Sequence, residues 1–229
     1  MRLLLLCLAL LGTSSPVFAQ PASAPTEDRT RFPNFLGATG LLYIPSAYTL
    51  GDREWAGHFH ANSDFHGGGI LTGITDRFEL GLTFLDTQDD TNRSFFDEGD
   101  TQVLANGKFN LLTETRSRPA FAVGVIDAFQ ELKSDPSWYV VASKYFTRGD
   151  TDQRFALIGH LGYGDGIYND DFFAGAELLF NRNMSAMAEY QDGKFNVGVR
   201  ARYRGFAATV GLFDTKQFGG GISYTVQFR

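Results

Sequence analysis

From residue 53 onward, apolar side chains alternate with polar or small ones, two residues apart. In 77–85, Phe78, Leu80, Leu82 and Phe84 oppose Glu79, Gly81 and Thr83. In 101–112, Val103, Ala105, Phe109 and Leu111 oppose Gln102, Asn106, Lys108 and Asn110. The same rhythm runs through 153–163, 171–181, 194–203 and 217–228, and more weakly through 53–61, 67–75, 119–128, 137–147, 184–191 and 205–213. Successive side chains of a strand point to opposite faces, so each window predicts a strand with one apolar face. Helical spacing is not sustained in any of them. The pattern predicts about twelve antiparallel strands, an even number as a bacterial outer-membrane barrel requires.

The connections sharpen this. Thr75-Asp76, Asn181-Arg182-Asn183 and Arg204-Gly205 are very short, whereas 86–100, 129–136 and 164–170 are longer. Strand parity assigns 113–118 and 148–152 to the short side. Short turns on one side and longer loops on the other are the habit of outer-membrane barrels. The loop 86–100 holds six acids against one Arg and is expected to face the exterior. The predicted fold class is all-β, a transmembrane antiparallel β-barrel of about twelve strands. A soluble β protein also alternates, but its exposed face should be more charged than the Gly-, Ser- and Asn-rich face found here.

Composition agrees. The 229 residues include 26 Gly, 22 Phe and 9 Tyr but 1 Cys and 3 Met, a strand-and-turn bias. A net charge of −6 argues against a nucleic-acid partner, and the lone Cys7 excludes a disulfide scaffold or a cysteine zinc site. Met1-Arg2, the apolar run Leu3–Leu11 and the small Ala19 read as a secretory signal peptide cleaved after Ala19. Its removal takes Arg2 and no acid, so 19 basic face 26 acidic residues, a charge of −7. Residues 20–36 read as a flexible leader and 37–229 as the barrel domain. Within the latter, Gly37–Ala47 is either a first strand or a segment tucked into the barrel mouth. The expected location is the outer membrane of a Gram-negative-type bacterium. Phe218–Phe228 resembles the closing strand that outer-membrane assembly machinery reads, although Arg229 follows the aromatic.

Ionised groups facing lipid near the midplane would cost about 2–4 kcal/mol for Arg or Lys, so the charged alternates should face inward. The lumen-lining candidates are Glu79, Asn106, Lys108, His160, Glu177, Glu189, Arg200 and Arg202. They either brace a narrow lumen or line a path for a polar solute. Ser143 and His160, on neighbouring predicted strands, are the candidates for a hydrolase alternative, although no Gly-x-Ser-x-Gly elbow accompanies them. His58 and His60 share a strand face, with Asp64 and His66 nearby, but no spacing fixes a third metal ligand. No cofactor and no catalytic residue is assigned. A soluble periplasmic binding barrel is a further alternative.

Five ordered segments resemble the YjbH family of exopolysaccharide biosynthesis proteins. They are Gly40–Ala47 with Gly37-Ala38-Thr39 before it, Gly73–Gly81, Ala142–Phe146 followed by Gly159–Gly164, Glu189–Gly198, and Gly219–Tyr224. The matching motif positions include Gly40, Pro45, Asp76, Glu79, Glu189 and Tyr190. The resemblance implies an outer-membrane barrel, embedded in lipid, with a link to export or surface assembly of a polysaccharide and to partners in that process. Longer members carry more chain than one barrel needs, so this chain is expected to be a short, single-barrel member. The resemblance supplies no catalytic residues.

Overall fold

The structure is a computed structural model, and it describes residues 30–87, 101–132, 135–147 and 155–228. The expected signal peptide and most of the acidic loop 86–100 lie outside the described residues. Twelve strands follow one another: β1 (Glu54–Ala61), β2 (Phe65–Thr75), β3 (Phe78–Thr87), β4 (Thr101–Leu112), β5 (Ala120–Ile126), β6 (Ser137–Thr147), β7 (Ala156–Gly164), β8 (Asp171–Leu179), β9 (Met184–Gln191), β10 (Lys194–Tyr203), β11 (Phe206–Phe213) and β12 (Gln217–Gln227). Each of the twelve predicted windows is a strand. Every strand pairs antiparallel with its sequence neighbours, and β12 closes on β1 with Trp55 opposite Val226 and Phe59 opposite Ile222.

Alternation has the predicted sense. Ile70, Leu82, Phe84, Val140, Leu161, Val199 and Ile222 all lie on the outside, each about half exposed to the surroundings. A continuous apolar skin of this extent is not compatible with water as its solvent. Tyrosines aside, three outward strand residues among those described carry an ionisable side chain. His66 and Asp86 pair at 3.2 Å near one end, and Lys144 lies near the other. Lys144 is satisfied locally: its Nζ donates to the carbonyls of Thr115 (2.7 Å), Arg116 (3.0 Å) and Arg118 (3.3 Å). Ring pairs such as Trp55–Phe228 and Phe206–Tyr224 at one rim and Tyr163–Phe172 at the other mark the aromatic girdles of a membrane barrel. The fold is a transmembrane β-barrel.

Both ends of the strand array, Glu54 and Gln227, lie at the same rim, as an even strand count dictates. The turns at that rim include Arg204-Gly205, where both residues take positive φ (46° and 84°). Such a pair forms a two-residue hairpin turn whose twist suits the strands. Loop lengths alternate less cleanly than expected. The opposite rim carries long connections, but also the two-residue turn Asp192-Gly193, with φ of 49° and 71°.

The segment before β1 departs from the expectation. Residues 30–36, read as the end of a flexible leader, are enclosed within the barrel: Phe35, Leu36 and Asn34 are fully buried. The expected domain limit at residue 37 therefore cuts through one continuous buried segment running to Gly51. It is not a first strand. It folds on itself through two isolated bridges, Pro33 with Thr39 and Gly40 with Pro45. Composition misread its start because Pro, Asn and Thr suit a solvated linker as well as a compact loop. From Phe32 to Leu50 it carries no charged side chain. We call it the plug.

Candidate functional site: the plugged lumen

An uncharged loop inside a barrel brings many backbone N–H and C=O groups that have no ladder partners. Each must be paired, because an unpaired buried polar group costs about 1–3 kcal/mol. The barrel wall pairs them with charged and amide side chains. The alternation that turns Phe and Leu toward lipid turns these groups inward.

Glu79 on β3 accepts the Thr39 N–H at 3.0 Å and the Leu50 N–H at 2.9 Å. Its neighbour on β4, Lys108, lies 2.9 Å from the same carboxylate, and both side chains are 1% exposed. Lys108 also donates to the Thr39 carbonyl at 2.9 Å and contacts the Thr39 hydroxyl. Across the lumen, Glu189 on β9 accepts three consecutive plug N–H groups: Leu42 at 3.0 Å, Tyr43 at 2.9 Å and Ile44 at 3.3 Å. Asn196 of β10 donates to the same carboxylate at 2.9 Å. Arg200, also on β10, grips the opposite polarity. It donates to the Leu41 carbonyl at 2.8 Å and to that of Gly40 at 3.3 Å. The loop 40–45 is thus held by a carboxylate on its amides and a guanidinium on its carbonyls.

Amides complete the set. Asn106 donates to the Leu36 carbonyl and Asn110 to the Ala47 carbonyl, both at 2.6 Å. Arg202 stands 5.5 Å from the Phe32 ring centroid and 3.8 Å from Glu177, so this ion pair joins β10 to β8 and touches the plug through an aromatic face. The charged members of the lumen-lining set pair off in number: Lys108, Arg200 and Arg202 with Glu79, Glu177 and Glu189. Close packing fills what remains. A Cβ on Gly175 would fall 2.6 Å from the Ile44 side chain, and one on Gly198 would fall 3.0 Å from that of Leu42. These inward glycines are the space in which plug leucines and isoleucine sit.

All eight lumen-lining candidates therefore point inward and are buried. Of the other motif positions, Gly40 and Pro45 bridge the plug loop to itself. Asp76, in the β2–β3 turn, accepts the Asp52 N–H at 3.1 Å, and its carbonyl accepts the Thr49 hydroxyl at 2.9 Å. Tyr190 lies on the outside, 48% exposed, and takes no part in the lumen.

Sequence reasoning missed two plug contacts. Asn62 donates to the Tyr43 hydroxyl at 2.5 Å. Glu114, in the β4–β5 turn, accepts from the Tyr48 hydroxyl at 2.6 Å and from the Tyr145 N–H at 3.1 Å. Both wall residues sit in turns, where no alternation announces an inward direction.

Ser143 and His160 do meet. β6 and β7 pair them in register, with Oγ 2.8 Å from Nδ1. The Ser143 oxygen also accepts the Ala47 N–H at 2.8 Å, so the plug backbone covers it. The remote His160 Nε2 has no hydrogen-bond partner, so no carboxylate orients the ring. His58 and His60 approach through their Nδ1 atoms at 3.3 Å, with the Phe35 ring stacked on His60 at 4.4 Å. Among the described residues no group of three metal-ligating side chains forms.

Taken together, the apolar skin, the closed twelve-strand wall and the inward polar groups that bind the plug define an outer-membrane-type β-barrel whose lumen is occupied by its own chain. The family profile described as "Exopolysaccharide biosynthesis protein YbjH" matches residues 33–226. The chain belongs to this YjbH family. No curated protein matches it. Among solved structures it is similar to the KdgM porin, at 11% identity over 77% of this chain and 99% of that one, with a TM-score of 0.48. It is also similar to an outer membrane channel from Pseudomonas putida F1, at 14% identity over 81% and 97% of the chains, with a TM-score of 0.35.

Proposed function

We propose that the protein is a non-enzymatic barrel of a Gram-negative-type outer membrane, linked to export or surface assembly of an exopolysaccharide, and closed at rest by its plug. Removal of residues 1–19 would precede insertion, and the outer-membrane assembly machinery would recognise the closing strand β12. The family description supports the polysaccharide link. The observation that carries the closed resting state is the double clasp of loop 40–45, by Glu189 on its amides and Arg200 on its carbonyls. A barrel of twelve strands is wide enough to hold such a segment and too narrow to leave a wide channel beside it. In planar lipid bilayers the intact protein should give no stable conductance steps, and cells lacking it should show altered surface polysaccharide. Porin-like steps from the intact chain would remove the closed state, and unchanged polysaccharide would remove the link.

The 2.8 Å contact of Ser143 with His160 favours a hydrolase as the second reading. Ester or peptide turnover by the purified protein that disappears in Ser143→Ala and His160→Ala variants would establish it. Absence of turnover would leave the pair as a plug contact.

A further inference from the structure

The plug is a re-entrant loop. Its N-terminal stem enters at the rim that holds both ends of the strand array. There Phe32 lines one cleft with Asn183 and Gly205 of the β8–β9 and β10–β11 turns, and Arg31 lines another with Thr113 and Glu114 of the β4–β5 turn. Its C-terminal stem returns to the same rim and runs into β1 at Glu54. Between the stems the loop reaches the opposite rim. Tyr43 meets Asn62 of the β1–β2 turn there, and its ring packs against those of Phe65 and Phe213, at 6.2 and 5.1 Å between centroids. The two longest connections, β3–β4 and β5–β6, join strands at that opposite rim, so it faces the exterior and the stems face the periplasm.

The C-terminal stem is bound along its length. The Gly51 N–H donates to the Glu54 carboxylate at 2.7 Å, the Asp52 N–H to that of Asp76 at 3.1 Å, and the Arg53 N–H to the Gly73 carbonyl at 3.0 Å. The Arg53 carbonyl accepts the Phe228 N–H at 3.1 Å. A Cβ on Gly73 would collide with the Gly51 carbonyl, so the stem lies directly on β2. These bonds keep residue 51 at the periplasmic rim. An excursion of the loop toward the exterior would draw the stem after it. About eight extended residues span a wall of about 25 Å, and they would thread the lumen that the loop had left. A swing into the periplasm empties the barrel instead. We propose that the plug is a flap hinged at Gly51–Arg53, which opens the lumen by swinging into the periplasm with that stem still bound. The inference rests on the closed resting state proposed above, and burial of Phe35, Leu36, Leu41, Leu42 and Ile44 draws the flap back to its seat.

The test is sided labelling of residue 46 in cells. Ser46→Cys is placed in a Cys7→Ser background, and the reagent is a maleimide on a polyethylene glycol chain too large to cross the outer membrane. Glu189→Ala loosens the plug by removing a clasp, and Gly198→Val does so by crowding Leu42. In both variants, cells with a breached outer membrane should label faster than intact cells by about tenfold or more. Parent protein should stay unlabelled in either preparation. Resistance to SDS before heating checks that each barrel is intact. Labelling of intact cells at the rate of breached ones, or faster, overturns the proposal. So does a variant that reacts with a small maleimide but never with the large one, because its plug loosens without leaving the lumen. Rapid labelling of the parent in breached cells alone would remove the closed resting state while upholding the direction of exit.

Discussion

Glu189→Ala should loosen the plug while removing one wall contact, the hydrogen bond from Asn196. The carboxylate accepts two short plug N–H bonds, from Leu42 at 3.0 Å and Tyr43 at 2.9 Å, and a longer one from Ile44. A hydrogen bond to a charged group contributes about 1.5–3 kcal/mol, so loss of the two short ones costs about 3–6 kcal/mol. That raises the population of the released plug by about 10²–10⁴-fold. A thiol reads this population. Ser46 is 1% exposed, so Ser46→Cys in a Cys7→Ser background is shielded from a water-soluble maleimide while the plug is seated. When opening and reclosing outpace labelling, the labelling rate tracks the open fraction. The rate in Glu189→Ala should rise by about the same 10²–10⁴-fold, with Glu189→Gln between it and the parent because one acceptor oxygen remains. Labelling of Glu189→Ala at the parent rate, in a barrel that still resists SDS before heating, would refute the clasp.

Gly198→Val tests the space rather than the bonds. Its Cβ alone would stand 3.0 Å from the Leu42 side chain, so the variant should speed labelling at residue 46 with every wall hydrogen bond retained. Lys108→Met should destabilise the folded protein by about 3–5 kcal/mol, because it leaves the Glu79 carboxylate buried without its cation. The pair Lys108→Met with Glu79→Gln should recover part of that loss, measured as the midpoint of urea unfolding in detergent micelles.

The wall was legible because its solvent problem is written at every second residue. Lipid outside and a polar inside force Phe78, Leu80, Leu82 and Phe84 apart from Glu79, Gly81 and Thr83, and no other arrangement satisfies both faces. The inward direction of Glu79, Lys108, Glu189 and Arg200 followed from the same rule. What they bind did not follow. Their partners are backbone groups of Thr39, Gly40, Leu41, Leu42 and Tyr43, and a backbone amide has no sequence signature. The plug has no period of two or 3.6 because it is neither strand nor helix. Its trace in the sequence is negative: a run from Phe32 to Leu50 without a charge, broken by Pro33, Gly37, Gly40 and Pro45, which do not suit a continuous helix. The tight turn Asp192-Gly193 on the long-loop side shows a second limit. Hairpin chemistry at a given position is set by local twist and is indifferent to which compartment the turn faces.

The clasp joins residues far apart in synthesis. Arg200 reaches Gly40 across 160 positions, and the seam that closes the cylinder pairs β1, which directly follows the plug, with β12, the twelfth strand in chain order. A barrel sealed ahead of its contents would leave Glu189 and Arg200 without their plug partners, and the Glu79–Lys108 pair without its backbone contacts. A plug already seated when β12 zips against β1 avoids that cost. The filling acts as a template around which the cylinder is rolled, and a chain that loses it has no inexpensive way to become round.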